Sequence, residues 1–198
     1  MLEVNKTVFV DMDNTLFDFD GAATKALPEV IRDQYGQGQE FYVASRFPEE
    51  FQQIIKNTYN HPDFFANLEL LPGALDAWEV MLDHGYEPQI LSSPLSSNPN
   101  AVGGKLESLR KHFARRFGER VITSAIIDKA KWNYPGLALI DDRINPAQGN
   151  TASWQHVLFS RQHNIGNDHQ PRLESWIDPE ENLIPLLDTL GLCEPREK

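Results

Sequence analysis

The sequence predicts a doubly wound parallel α/β fold, Rossmann-like, with a small helical cap inserted after the first strand. Three observations predict it. A β-branched and aromatic run, Thr7–Val10, stops abruptly in acids at Asp11 and Asp13. Two later apolar runs stop in polar groups as well: residues 87–91 in Ser92-Ser93-Pro94, and residues 137–140 in Asp141-Asp142. Between the first and second runs, over about residues 17–70, apolar positions recur at helical spacing and no strand pattern is visible. Strands alternating with helices imply a parallel sheet with helices on both faces. A buried strand that ends in polar residues marks the carboxyl edge of such a sheet, where ligands bind.

Taken in order, residues 7–10 read as a buried strand. Ala22, Ala23, Ala26, Leu27, Val30 and Ile31 share one helical stripe. Phe47, Phe51, Ile54 and Ile55 share another, with Pro48-Glu49-Glu50 at its start. A helix begins at Leu71-Pro72-Gly73-Ala74 and runs to about His84, where Gly85 punctuates it. The second strand covers residues 87–91, a helix of mixed charge covers about 104–117, and residues 121–127 read as a strand. Further strands follow at 137–140 and 157–159, and a closing helix at 177–190. The expected division is an α/β core of residues 1–16 and 71–198, with a helical cap of residues 17–70.

A chain of 198 residues suits one domain, or a core domain with a small insertion, and is long enough for a sizeable core. Its 40% apolar and 24% charged residues are those of an ordinary soluble protein. The single cysteine, Cys193, allows no internal disulfide and no cysteine-based zinc site, and fits a reducing, cytoplasmic setting. The N-terminus is polar, and no apolar stretch approaches the ~18 residues of a membrane helix, so no signal peptide and no membrane partner are expected. The net charge of −11 argues against binding a nucleic acid polymer. It permits a small phosphorylated substrate if a divalent cation and a few lysines reverse the field locally.

If the three strands are parallel neighbours, Asp11 and Asp13, Ser92 and Ser93, and Asp141 and Asp142 meet at one edge, and Lys129 or Lys131 lies between the second and last. That set fits phosphoryl transfer to a carboxylate. Carboxylates offer the hard oxygen ligands Mg²⁺ takes. One aspartate can attack phosphorus while a second, two residues on, moves the proton. A hydroxyl and an ammonium can hold the remaining phosphate oxygens. Taken singly the parts are weak. An Asp-x-Asp pair also serves glycosyltransferases, and Asp18 and Asp20 repeat the spacing; Ser-Ser-Pro reads as a turn, and Asp-Asp as a solvated strand end. Their joint occurrence in this order is the signal. His156, His163 and His169 read as hydrogen-bonding or surface groups, and Trp154 and Trp176 as packing residues. Phe41, Tyr42, Phe47, Phe64 and Phe65 either line a pocket or hold the helical segment together.

Several segments then resemble the haloacid dehalogenase-like superfamily and, within it, the 5'(3')-deoxyribonucleotidases. They are Val10-Asp-Met-Asp13, Phe64-Phe-Ala-Asn-Leu-Glu-Leu-Leu-Pro-Gly-Ala74, Ile90-Leu-Ser-Ser-Pro94, Leu139-Ile-Asp-Asp-Arg143, Ser153-Trp-Gln-His-Val-Leu-Phe159 and His163-Asn164. The resemblance implies Asp11 as nucleophile and metal ligand, and Asp13 as acid/base that also gives the metal its backbone carbonyl. It implies Ser92, followed by Ser93, as the phosphate-binding hydroxyl where the family has threonine. Asp142 becomes a Mg²⁺ ligand with Asp141 behind it, and Phe19 an aromatic that packs on the nucleobase. Lys131 keeps the family's spacing to the Asp-Asp pair and to Gly136, so the resemblance implies Lys131 rather than Lys129 as the phosphate-binding lysine. The implied reaction is hydrolysis of (deoxy)ribonucleoside monophosphates through an aspartyl-phosphate. Members are often homodimers, which no feature of this sequence encodes. Asn14 stands where the family often has glycine, and about residues 30–60 do not align securely. Two alternatives stay open here: a phosphatase of the same mechanism for another small metabolite, and a catalytically silent nucleotide-binding relative.

Overall fold

The computed structural model describes residues 5–192, so Cys193 lies outside the described residues. Six strands form the sheet: β1 Thr7–Val10, β2 Glu87–Ser92, β3 Ile126–Ile127, β4 Ala138–Asp141, β5 Gln155–Phe159 and β6 Arg172–Leu173. All pairings are parallel, in the order β3-β2-β1-β4-β5-β6. The chain winds outward from β1 through β2 to β3, then returns to β1's other side and winds outward again. This is the doubly wound strand order, and its switch point falls between β1 and β4.

β1 is apolar on both faces because it lies at the centre, and its residues divide between two clusters with the period of 2 expected of a strand. Val8 and Val10 join the large cluster with Ile90, Ala138 and Ile140. That cluster includes Trp78 and Met81 of α4 (Ala74–Asp83), Leu109 and Phe113 of α5 (Ala101–Phe117), and Leu187. Phe9 instead meets Leu91, Leu139 and Trp154 on the opposite side, covered by Tyr134, Ala147 and Ala152 from irregular segments. Gly136 lets the chain enter β4 against β1, since a Cβ there would stand 2.7 Å from the Phe9 ring.

The segment between β1 and α4 carries α1 (Phe19–Thr24), α2 (Glu29–Tyr35) and α3 (Glu49–Tyr59), with short 3-10 turns at Val43–Arg46 and Phe65–Asn67. Its apolar residues, among them Leu27, Val43, Phe47 and Ile55, belong to the same cluster as Val8 and Val10. The helical stripe expected over residues 22–31 is broken at Leu27-Pro28. Proline lacks the N–H, and the residue before it is pushed out of the helical region. Val30 is consequently 67% exposed rather than buried. α3 does start behind Pro48, as its Pro-Glu-Glu signal indicates.

Two other expectations need correction. Residues 121–127 are not one strand: Arg120–Thr123 form a helical turn, α6, and only Ile126 and Ile127 pair with β2. The closing helix is two pieces, α7 Pro179–Asn182 and α8 Ile184–Leu192. Pro185 cannot donate to the preceding turn, which separates them. β6 is only two residues long, too short for periodicity to reveal. Among the described residues no helix is long and apolar enough to cross a membrane.

Candidate active site

The acids and serines of the site sit at or just past the carboxyl ends of strands. Asp11 continues β1, its N–H donating to the Ile140 carbonyl at 2.9 Å. The chain then folds around the Met12 carbonyl, which accepts from the N–H groups of Thr15, Leu16 and Phe17 at 3.2, 2.9 and 2.9 Å. Asn14 takes the left-handed conformation this turn demands, φ 58°. Asparagine tolerates that region better than most non-glycine residues, which accounts for Asn14 at a glycine-favouring position. The turn brings Asp13 over the sheet edge beside Asp11.

Two lysines bind this turn to its neighbours. Lys131, on a 3-10 turn at Lys131–Asn133, donates to Asp11 Oδ1 at 2.5 Å and Asp141 Oδ2 at 2.6 Å. Trp154 Nε1 donates to the Lys131 carbonyl at 3.1 Å and holds that turn down. Lys129 points elsewhere, to Ser96 Oγ at 2.5 Å on the surface. Lys105 is the second lysine. Its Nζ donates to Asp13 Oδ2 at 2.9 Å, Ser92 Oγ at 2.7 Å and the Ser93 carbonyl at 2.9 Å.

The sequence reading missed Lys105. A signal existed: Lys105 lies four residues from Ala101 and four from Leu109, both buried, so it occupies the inward stripe of α5. Lysine is almost never fully buried unless paired, and here its exposure is 0%. Gly104 lets α5 come close enough, since a Cβ there would stand 2.8 Å from Phe65 Cβ.

Asp142 is fixed through its backbone. Its N–H donates to Thr15 Oγ1 at 3.2 Å, and its carbonyl accepts from Asn164 Nδ2 at 2.9 Å and His163 Nε2 at 3.0 Å. His156 Nε2 approaches the Asp141 carbonyl at 3.2 Å. These two histidines therefore brace the Asp-Asp pair and are not surface groups. Both Asp141 oxygens are occupied, by Lys131 and by the Arg143 N–H at 2.9 Å. The Asp142 carboxylate has only a 3.4 Å contact with His163. Asp13 Oδ1 is buried without a hydrogen-bond partner.

The electrostatics follow from this crowding. Burial raises the Asp142 pKa well above the ordinary carboxylate range, and the negative charges of Asp141 and Asp11 add to it. Burial likewise raises Asp13, partly offset by Lys105 and reinforced by Asp11. Burial alone would lower the Lys131 pKa, but Asp11 and Asp141 outweigh it and hold the ammonium above its ordinary value. His163 is pushed down by burial, and His156 to about 4 for the same reason, so both are neutral at pH 7.

Oxygens of Asp11, Asp141 and Asp142, one from each, lie within 4.8 Å of one another. Three buried carboxylates at that spacing make an oxygen-rich pocket whose hard donors suit a divalent cation. They open into a cavity of about 160 Å³ whose other wall is aromatic: Phe19, Phe41, Tyr42 and Tyr59. Ser92, Ser93 and Lys131 line the carboxylate end, so the cavity brings together every residue expected from the sequence, and Lys129 is not among them. Phe19 packs on Tyr59, Phe64 and Phe65, with ring centroids 5.8, 5.2 and 6.0 Å away. Phe47, Phe64, Phe65, Trp154 and Trp176 are buried packing residues.

An aspartate closing the central strand, a second one two residues on, and acids closing the next strand across the switch point make a buried carboxylate site at the carboxyl edge of a doubly wound sheet. A solved putative HAD-hydrolase from Bacillus subtilis, bound to magnesium, has the same fold: TM-score 0.52 at 16% identity, covering 96% of this chain and 100% of that one. The chain belongs to the family described as 5' nucleotidase, deoxy (pyrimidine), cytosolic type C protein, whose profile matches residues 5–188. It is 32% identical to the human cytosolic-type 5'(3')-deoxyribonucleotidase over 202 aligned positions, covering 96% of this chain and 97% of that protein. It is also 32% identical to the mouse mitochondrial 5'(3')-deoxyribonucleotidase, covering 86% and 81%.

The raised carboxyls predict how pH and metal act on stability. Asp13 and Asp142 hold protons more tightly folded than unfolded. Their contribution is present below the unfolded value of 3.8 and lost as pH rises through the raised folded values. A cation on the ionised cluster reverses that loss. Thermal melting should therefore show a larger rise in Tm on adding Mg²⁺ at about pH 7.5 than at about pH 5, and Asp142→Asn should reduce the gain. An equal gain at both pH values would contradict this electrostatic picture.

Proposed function

We propose that this chain hydrolyses nucleoside 5'-monophosphates, deoxyribonucleotides in preference, to nucleoside and phosphate. Asp11 is the nucleophile and Mg²⁺ the metal. The observation that carries this reading is that one cavity is lined both by Asp11, Asp13, Ser92 and Lys131 and by the aromatic side chains of Phe19, Phe41 and Tyr42. A phosphate with no flat apolar group attached would leave the aromatic wall without use. The helical segment, residues 17–70, acts as the cap on a core of residues 1–16 and 71–198. It keeps water from the site and shapes the base pocket.

Lys131, Lys105 and Ser92 surround the place where the phosphate oxygens belong, and Ser93 lies beside Ser92. Asp11 attacks phosphorus, forming its own carboxyl–phosphorus bond as the bond to the nucleoside oxygen breaks. Asp13, kept protonated more readily by burial, gives its proton to that departing oxygen. Nucleoside leaves. Asp13, now ionised, takes a proton from water as the water oxygen attacks phosphorus and the bond to Asp11 breaks. Phosphate leaves, and both aspartates return to their starting states. Lys105, in contact with Asp13 and Ser92, keeps the acid/base beside the phosphate site.

Mg²⁺, held by Asp11, Asp142 and the Asp13 backbone carbonyl, would neutralise phosphate charge so that an anionic carboxylate can approach it. The donor chemistry fits, since all three ligands are hard oxygens. Asp141 stays behind them as the partner of Lys131, which agrees with both its oxygens being already engaged.

A panel of dUMP, dTMP, the matching ribonucleotides, a sugar phosphate and p-nitrophenyl phosphate, with and without Mg²⁺, tests the assignment. Deoxyribonucleotides should have the highest kcat/KM, only with the metal. Equal turnover of p-nitrophenyl phosphate would leave a phosphatase without base recognition. In the same assay Lys131→Met should lower kcat/KM by about 10²-fold or more, while Lys129→Ala should change it by less than about threefold. The reverse order would transfer the role to Lys129.

A further inference from the structure

Arg46 does not line the cavity, yet it joins the Phe41–Tyr42 segment to the turn that carries Asp13. Its side chain is 2% exposed. Nη1 donates to Asp20 Oδ2 at 2.6 Å. Nε donates to the Glu40 carbonyl at 2.7 Å, and Nη2 makes a longer contact with the Phe41 carbonyl at 3.4 Å. One guanidinium thus spans the backbone just before the Phe41–Tyr42 wall and the carboxylate of α1. Gly38 makes room for it: a Cβ at that position would stand 2.9 Å from both Cβ and Cγ of Arg46.

Asp20 carries the connection onward. Asn14 Nδ2 donates to Asp20 Oδ1 at 2.8 Å, and the Asp20 N–H returns to Asn14 Oδ1 at 3.0 Å. Asn14 is the left-handed residue directly after Asp13. A change in the wall therefore has a route of three polar contacts to the acid/base. The other end is equally constrained, because the Phe41 ring lies under the Arg143 guanidinium at 4.6 Å and edge-on to His163 at 5.1 Å. Guanidinium suits the task where ammonium would not, because its fork can donate in several fixed directions at once.

We propose that Arg46 is a specificity-determining positioning residue. It sets the Phe41–Tyr42 wall against the Asn14 turn, so that Asp13 is correctly placed when a base fills the wall. This rests on the nucleotidase reading and goes beyond it. It assigns base discrimination to a residue that touches neither base nor phosphate.

The test compares kcat/KM for dUMP with kcat/KM for p-nitrophenyl phosphate, which has no base to fill the wall. Arg46→Met leaves Asp20 as an unpaired buried charge and can unfold the protein for that reason alone. The double variant Arg46→Gln with Asp20→Asn removes both charges and keeps amide groups in place, and a thermal melt verifies its fold. In the folded double variant the dUMP to p-nitrophenyl phosphate ratio should fall about tenfold or more, the loss falling more heavily on dUMP. An unchanged ratio overturns the proposal, as does an equal loss on both substrates. A wild-type protein with no preference for dUMP is a separate outcome, which removes the nucleotidase reading and this proposal with it.

Discussion

The contact on which the site depends is the buried ammonium of Lys131 between Asp11 and Asp141. It lies 2.5 Å from one and 2.6 Å from the other, and it joins the ends of β1 and β4 where the strand order reverses. Without a positive charge there, Asp11, Asp141 and Asp142 would crowd one another uncompensated in a buried place, where removing one partner of such a set is costly. Lys105 repeats the device on the other side of Asp11, between Asp13 and the end of β2. The unbalanced member is Asp142, and its imbalance is what a divalent cation corrects.

The fold makes these contacts by placing the acids and serines at strand ends and bringing the two lysines to them from a helix and a 3-10 turn. β1 is apolar on both faces up to Val10, and then the chain leaves the sheet in a turn that cannot be apolar, because its backbone needs partners. The same switch occurs at Ser92 and Asp141. Braces from more distant elements complete the arrangement. Thr15, His163 and Asn164 hold Asp142, and Trp154 holds the Lys131 turn. Trp176 Nε1, donating to the Thr15 carbonyl at 2.6 Å, ties the catalytic turn to the chain leading into α7. The helical segment shares one apolar cluster with the sheet, so the aromatic wall and the carboxylates are set in one packed body.

Much of this was legible in the sequence, for a physical reason. A central strand must be apolar on both faces, so an aspartate at its end is conspicuous, and three such ends in parallel order locate the edge of the sheet. What was illegible depends on distance in space. Lys105 resembles a surface lysine on a helix of mixed charge until the packing of Gly104 on Phe65 shows that its face is inward. Arg46 and Asp20 are 26 residues apart and pair only once the helical segment folds. Proline decided two helix boundaries that apolar periodicity overran, at Pro28 and Pro185. The Val121-Ile122 pair looked like a strand but belongs to a single helical turn after α5.

Covalent trapping tests the central claim most directly. The enzyme would be mixed with excess dUMP labelled at phosphorus, in Mg²⁺, and quenched in acid within one turnover. Borohydride reduction and peptide mass spectrometry would then locate the acyl phosphate. The account predicts label on the peptide containing Asp11, reduction of that residue, and no label in the Asp11→Asn variant. Turnover without label on Asp11, or label on Ser92 or on Asp13, would contradict it.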